Sequence, residues 1–182
     1  IEWGYFYFCG PNGSEYKSFE EDGKTVISAS FPLEEGVCSD LLFAYDDIKC
    51  LNYFGTNVDA YWKTKGLSME QALVEAKNES GEMLEKCRKI SEELFDDAEN
   101  AGGEKYAELL ELSYRQLIAA HKLAVDTEGQ IIFISKECLS NGCAATVDVT
   151  YPSAPFFMLY SPELLKGMLR PIFKYAESDD WK

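Results

Sequence analysis

The 182-residue sequence is poor in basic residues and contains a single histidine, His121. Lysine and arginine number 17 against 32 aspartates and glutamates, so the net charge is −15. A surface of this charge repels phosphate backbones and anionic lipids, and we expect neither a nucleic-acid partner nor a membrane-surface partner. One histidine argues against a histidine-rich metal site, and we expect no metal and no other cofactor.

Long apolar runs and familiar catalytic signatures are also missing. No run approaches the ~20 apolar residues of a membrane-spanning helix, so membrane insertion is not expected. The sequence has no G-x-S-x-G, no phosphate-binding loop and no zinc motif, which excludes only those signatures. No Cys-x-x-Cys occurs, and most of the six cysteines are predicted to be buried free thiols; Cys138 and Cys143 alone are close enough to suggest a local disulfide.

The first 61 residues carry strand and turn signals. Aromatic and β-branched runs are bounded by Gly, Pro and Asn, as in WGYFYFC, KTVISASF and DLLFAYDD. We predict a β-rich segment over residues 1–61. Because the chain begins within such a run and stops just after a helical pattern, we interpret it as a piece of a longer protein.

A helical pattern follows from residue 67 to about residue 100. Ser68 and Gln71 fit a capping box, and an apolar stripe runs opposite Glu and Lys. Gly102 and Gly103 then predict a turn into a second helix.

The second helix is predicted from about Glu104 to Val125, with His121 as a core histidine on its apolar stripe. The two helices should form an antiparallel hairpin. The fold class is therefore predicted to be α+β, with N-terminal strands followed by a long helical hairpin. The run IIFIS should be a buried strand or extended segment, and a last helix should begin after Ser161, with Pro162 in its first position.

An unusual segment, SKECLSNGCAATVDVTYPSAP, lies between these elements. Strand alternation in TVDVTY places Asp148 on a polar face, opposite the two valines. If that face lines a pocket, Asp148 is a candidate general base; if it faces solvent, the carboxylate needs no further explanation. Glu137 could share acid and base roles with Asp148, or it is a solvated loop acid. Arg115 either pairs with Glu111, four residues earlier, or grips a substrate carboxylate.

Three sequence blocks resemble the glutaminase A family, which includes secreted fungal enzymes and proteins of gut Bacteroidetes. The blocks are YRQLIAAHKL, SKECLSNGCAATVDVTYPSAP and PELLKGMLRPIFKY, within residues 113–178. The resemblance implies an N-terminal β-sandwich region followed by an (α/α)6 toroid of helical hairpins. Residues 1–61 would then be the end of the β region, and residues 62–182 the first hairpins of the toroid. Secreted or periplasmic localisation is implied as well.

The resemblance also implies hydrolysis of L-glutamine to L-glutamate and ammonia, by a protein of which this piece alone is inactive. Within that hypothesis Asp148 is the general base for water and Glu137 the acid or a second polar anchor. The candidate residues for contact with the amino acid are Arg115, Lys136, Asn141 and Tyr151. The expected partners are a small-molecule substrate, glutamine or a related compound, and the remaining domains of the full-length chain.

Two alternatives stay open. Paired carboxylates on such a helical fold suit a glycoside hydrolase equally well, in which case exposed aromatic side chains should lie beside the acids. A glutamine pocket should instead present a fixed cation for the α-carboxylate. A non-catalytic scaffold or interaction domain would show a closed, well-packed surface around Asp148.

Overall fold

The computed structural model describes residues 4–36, 38–136 and 142–181. Six strands precede the first long helix, and each pairing among them is antiparallel. Their bounds are β1 Tyr5–Cys9, β2 Glu15–Glu21, β3 Lys24–Ser30, β4 Leu42–Asp46, β5 Leu51–Tyr53 and β6 Thr56–Ala60. β1 pairs with β4, and β2 pairs with β3 in a separate two-stranded sheet. A short 3-10 helix, Tyr61–Lys65, follows β6.

The predicted helical hairpin is present, with a shorter second helix. Helix α1 spans Met69–Gly102 and begins at the predicted capping box, in which the Ser68 hydroxyl accepts from the Gln71 N–H and the Gln71 side chain accepts from the Ser68 N–H. Gly103, at φ 83°, turns the chain into α2, Glu104–Ala119, which packs back against α1. A positive φ is readily adopted by glycine, which explains the reversal at this residue.

The prediction that α2 continues to Val125 was wrong. Residues His121–Val125 form strand β7, which pairs with β8, Ile131–Ser135. Asp126 closes the turn between them, because its carboxylate accepts from the N–H groups of Glu128 and Gln130 at 2.9 and 2.8 Å. Two apolar runs on either side of a Gly-containing turn are typical of a β-hairpin. Residues 121–125 adopt the strand of this hairpin although they also fit the helical spacing of α2.

A four-stranded antiparallel sheet in the order β5-β6-β7-β8 forms the centre of the fold. Since β6 pairs with β7, this sheet joins strands from both sides of the predicted division at residue 61. That division stays a prediction. One face of the sheet holds the buried cluster of Tyr53, Val58, Ala124, Ile132 and Ile134.

The other face of the sheet is covered by two further helices, α3 Val147–Tyr160 and α4 Pro162–Ala176. Phe133 of β8, Phe157 of α3 and Met168 of α4 form the second buried cluster. Gly167 of α4 lies so close to β8 that a Cβ there would stand 3.1 Å from the Phe133 nitrogen. α4 begins with Pro162 in its first turn, as predicted, although the Ser161 side chain makes no capping bond.

The interpretation of TVDVTY as a strand was wrong, because these residues form the start of α3. The helix forms although Pro152 and Pro155 lie inside it and each removes a backbone donor. Its inward face, made of Thr150, Ser153 and Phe157, is buried, and this tertiary burial outweighs the low helix propensity of the segment. Asp148 lies in the first turn, where a carboxylate interacts favourably with the helix dipole.

The α+β fold class is thus confirmed, with four helices and antiparallel sheets. Of the residues of α2 only Ala107 is buried, and Leu109 and Leu112 are exposed. No described helix is long and apolar enough to cross a membrane.

Candidate functional site

The segment that sequence analysis singled out leaves the end of β8 and returns to it. The Lys136 N–H donates to the carbonyl of Ala120 at 3.1 Å, and Lys136 pairs with Ala144 in an isolated β-bridge. The Ala145 N–H then donates to the carbonyl of Ser135 at 2.9 Å. The return point is therefore fixed on the edge of the central sheet, immediately before α3.

Three residues named in the sequence analysis, Glu137, Cys138 and Asn141, lie outside the described residues. The predicted roles of Glu137 and Asn141, and the suggested Cys138–Cys143 disulfide, stay predictions. Four other cysteines, Cys9, Cys38, Cys50 and Cys87, are free thiols. Burial, together with the neighbouring Asp47 carboxylate, raises the pKa of Cys50 to about 11, so this thiol is protonated at neutral pH.

Asp148 is exposed in the first turn of α3. It makes no hydrogen bond or ion pair with any residue in the described ranges. In a purely structural role we would expect it to cap nearby backbone N–H groups or to pair with Lys136 or Arg115, and no such contact of Asp148 is found within the described residues. Its carboxylate is therefore open to solvent, which is compatible with a site residue as well as with a simple dipole-stabilising acid.

Tyr151 lies one helical turn after Asp148 and is 79% exposed. Residues three apart on a helix are neighbours on its surface, so the two side chains share one face of α3. The fold thus brings together two of the predicted residues that can be described, Asp148 and Tyr151.

Arg115 lies on α2 and is exposed. It forms no ion pair with Glu111, nor with any other acid in the described part of the chain. The surface pair considered for it is absent, while its proposed grip on a carboxylate stays untested.

A cavity of about 580 Å³ opens next to the start of α3. Thr146 and Val147 line it on that side. Asn52 lines it from β5, Phe54 from the turn between β5 and β6, and Trp181 from beyond α4. Most of the lining is apolar and aromatic. The cavity thus reaches the residue before Asp148, but Asp148 is not among its lining residues.

The backbone at this point is strained. Ala145 has φ 54°, in the left-handed region that alanine rarely adopts. Its bond to Ser135 and the adjacent β-bridge hold it there. Strain of this kind is retained where the surroundings fix it, often beside functional sites.

Sequence reasoning missed a group of polar atoms beneath this segment. His121 Nε2, Ser135 Oγ and Thr146 Oγ1 are buried and have no hydrogen-bond partner among the described residues. His121 and Ser135 are directly opposite in the β7–β8 pairing, so their side chains lie on the same face of the sheet. The one available signal was the alternation of His121 with Leu123 and Val125, which fits a strand.

His121 is held on three sides. Its Nδ1 lies 2.6 Å from the carbonyl of Leu117, its ring stacks on Phe133 at 4.4 Å, and it meets Phe157 edge-on at 5.9 Å. Since a carbonyl can only accept, Nδ1 carries the proton and Nε2 is the unprotonated nitrogen. Burial lowers the pKa of His121, because the charged ring would lose its hydration. No group of three metal-ligating side chains converges within the described ranges.

Known proteins similar to this chain fall in one family. Residues 103–182 match the family model of the glutaminase A six helical-hairpin domain. A glutaminase A of Aspergillus oryzae is 38% identical over 89 residues, which cover 49% of this chain and 13% of that protein. A protein of Arthroderma benhamiae named as a probable glutaminase is 25% identical over 99% of this chain and 26% of its own length.

The chain thus spans 13% and 26% of the length of these two curated relatives. No solved structure matches it. The family match begins at the turn between α1 and α2 and includes the whole segment around α3. The resemblance to the glutaminase A family predicted from the sequence blocks is thereby confirmed.

Proposed function

We propose that this chain is part of a glutaminase that hydrolyses the side-chain amide of L-glutamine to L-glutamate and ammonia. The observation that carries the proposal is the family match over residues 103–182, which includes the segment with Asp148 and Tyr151. The names of the two relatives support the same reaction. Secretion or export to the periplasm belongs to the same proposal, as does the assignment of residues 62–182 to the first hairpins of a six-hairpin toroid.

In this proposal Asp148 is the general base that takes a proton from the attacking water. Its exposure and its lack of an ion-pair partner in the described structure support that role, because a base must be within reach of water and must not be neutralised by a fixed cation. Glu137 is the proposed acid. Arg115, Lys136, Asn141 and Tyr151 are proposed to contact the amino acid.

The remaining domains of the longer protein are proposed to complete the site. α3 is apolar on nearly every side, yet Val147, Met158 and Leu159 are all exposed by 60% or more. A helix that is apolar all round is normally buried. We therefore expect no turnover by residues 1–182 alone.

The test is ammonia release from L-glutamine by the full-length protein that contains this chain. Asp148→Asn keeps the shape of the side chain and removes the base, so we expect kcat to fall by about 10²–10⁴-fold. The matched control is Glu104→Gln, which removes an exposed first-turn carboxylate from α2 and should leave kcat unchanged.

Thermal stability separates the outcomes. Each substitution removes one favourable contact with a helix dipole, about 0.3–1 kcal/mol, so both variants should melt nearly alike. An Asp148→Asn variant that melts early but keeps its activity per folded molecule would show that Asp148 is structural.

A second candidate function, action on a carbohydrate, is favoured by aromatic side chains near the start of α3. Tyr151 is exposed one turn further along this helix, and Phe54 and Trp181 line the neighbouring cavity. Release of reducing sugar from oligosaccharides by the full-length protein, without ammonia release from glutamine, would favour this reading over the first.

A further inference from the structure

The N-terminal half of α1 has no helical partner among the described residues. α1 has 34 residues and α2 only 16, and the α1 residues buried near α2 are Leu94 and Ala98. Toward its N-terminus α1 lies instead beside β4 and the 3-10 helix. The predicted apolar stripe of α1 is therefore only partly covered, and Met83 is half exposed.

A cleft of about 520 Å³ lies along this half of the helix. Its α1 wall carries Ala72, Ala76 and Met83, and its opposite wall carries Leu42 and Trp62. The lining is mostly apolar. Ala72 and Cys87, at its two ends, are 15 residues apart, so the wall is roughly 22 Å long at 1.5 Å per residue.

The rim of the cleft is acidic. Asp40, Glu75 and Glu79 line it, and Lys65 is its one lining cation. Lys65 is already bonded to Glu75. Asp40 and Glu79 have no ion-pair partner within residues 4–36, 38–136 and 142–181. The lining of the cleft is thus mostly apolar and carries three carboxylates against one lysine, which leaves it with a net negative charge.

We propose that this cleft binds a cationic amphipathic helix. The apolar face of the partner would lie on Ala76, Met83 and Trp62, and its lysines or arginines would pair with Asp40 and Glu79. The small side chains of Ala72, Ala76 and Ser80 recur every four residues on α1, so a partner helix can approach the backbone closely along that row. A wall of 22 Å matches about four turns of such a helix.

The partner is cationic because charge complementarity governs both encounter and register at such a surface. An acidic partner helix would place its own carboxylates next to Asp40 and Glu79. A neutral helix would leave these two carboxylates without an oppositely charged partner. Helix-in-groove recognition of this kind depends on apolar anchors spaced three and four residues apart, which the row on α1 accommodates.

The probe is an 18-residue fluorescein-labelled peptide of leucine and lysine in amphipathic helical spacing, titrated with the full-length protein that contains this chain at 150 mM salt. Fluorescence anisotropy should show saturable binding, and a matched leucine–glutamate peptide should not bind. Ala76→Trp fills the cleft and should weaken binding at least tenfold. Asn100→Trp, at the far end of α1, adds the same side chain outside the cleft and should change the Kd less than twofold.

Met83→Lys is a second variant that does not depend on accommodating a tryptophan. It places a positive charge, the same sign as the charges of the peptide, in the cleft at a half-exposed position. Met83→Lys should therefore weaken binding as strongly as Ala76→Trp. Circular dichroism of each variant verifies that α1 remains folded.

The charge requirement has its own pair of variants. Asp40→Asn with Glu79→Gln should weaken binding about fivefold or more and reduce its salt dependence. Glu92→Gln with Glu93→Gln removes the same charge from α1 outside the cleft lining and should have less than a twofold effect. Equal weakening by both pairs, full binding by Ala76→Trp and Met83→Lys, or absence of saturable binding would each overturn the proposal.

Discussion

The hairpins β2–β3 and β7–β8 are built alike and differ in what covers them. Both are antiparallel, with five to seven residues per strand and every register position paired. All seven residues of β2 are exposed, whereas four of the five residues of β8 are buried. Strand pairing satisfies the backbone in both, but only β8 removes large apolar side chains from water, so we expect the stability of the fold to be concentrated around β8.

The largest expected effect is the removal of an aromatic ring from the cover of β8. Phe157 is fully buried against Phe133 and His121. Phe157→Ala should lower the free energy of unfolding by about 3–5 kcal/mol, because it removes buried surface and leaves a cavity. Urea denaturation followed by circular dichroism measures the loss.

Phe19→Ala on β2 is the matched substitution in the exposed hairpin, since Phe19 is 45% exposed. We expect a loss below about 1 kcal/mol, in the range of exposed cross-strand contacts. If Phe19→Ala and Phe157→Ala lowered the free energy of unfolding by similar amounts, the two hairpins would not differ in their contribution to stability.

The next effect concerns how closely α4 lies on β8. Gly167→Ala would place a Cβ 3.1 Å from the backbone nitrogen of Phe133 and 3.2 Å from the carbonyl oxygen of Ile131. Because strand backbone moves reluctantly, we expect a loss of about 1–3 kcal/mol in spite of the better helix propensity of alanine. The control, Gly81→Ala in α1, meets nothing within 4 Å and should raise stability by up to about 1 kcal/mol; a gain at Gly167 would contradict the close packing.

A smaller effect should appear as a pH dependence from β7. Burial lowers the pKa of His121 below its ordinary value of 6.5, so the folded state binds fewer protons than the unfolded state just below that pH. Stability should therefore fall as pH drops below about 6.5, until the pKa of the folded state is passed. Protonation would also place an N–H on Nε2, which has no acceptor in the described structure.

Melting temperatures between pH 8 and pH 5 measure this dependence. His121→Gln lacks a titrating group and should show a shallower decline over that range, because the remaining slope comes from carboxylates. Parallel declines in the two proteins would show that His121 does not contribute.

The smallest expected effect is local and lies outside the central sheet. Ser68→Ala removes the hydroxyl that accepts from the Gln71 N–H at the start of α1. We expect a loss of about 0.5–1 kcal/mol, in the lower part of the range for N-cap substitutions, because this end of the helix is exposed. A larger loss at Ser68 than at Gly167 would mean that the exposed half of the molecule controls its stability.

The sequence predicted well those elements whose formation depends on neighbouring residues in the chain. The capping box at Ser68, the turn at Gly103, the strand IIFIS and the proline at the start of α4 each depend on residues within one or two turns. α3 was missed because its cause is distant: two prolines and several β-branched or aromatic residues disfavour a helix locally. The burial of Thr150, Ser153 and Phe157 compensates for them, and Phe157 packs in a cluster with Phe133 of β8 and Met168 of α4.

The candidate site likewise has one part that the sequence indicated and one part that only the structure showed. Asp148 was identified as unusual for a strand, and the oddity is resolved by its position in the first turn of a helix. The buried group of His121, Ser135 and Thr146 could not be found from sequence, because it depends on the register that places His121 opposite Ser135 and on the return of the chain at Ala145.

The sequence by itself determined the acidic surface, the α+β composition, the capped long helix and the resemblance to the glutaminase A family, since all of these reside in composition and in contiguous residues. Only the tertiary structure decided that residues 121–125 are a strand, that α3 is a helix, and that half of α1 borders an open cleft. The physical reason is that propensity contributes tenths of a kcal/mol per residue, whereas burying one large side chain contributes about 1.5–3 kcal/mol. Where the two conflict, long-range burial prevails.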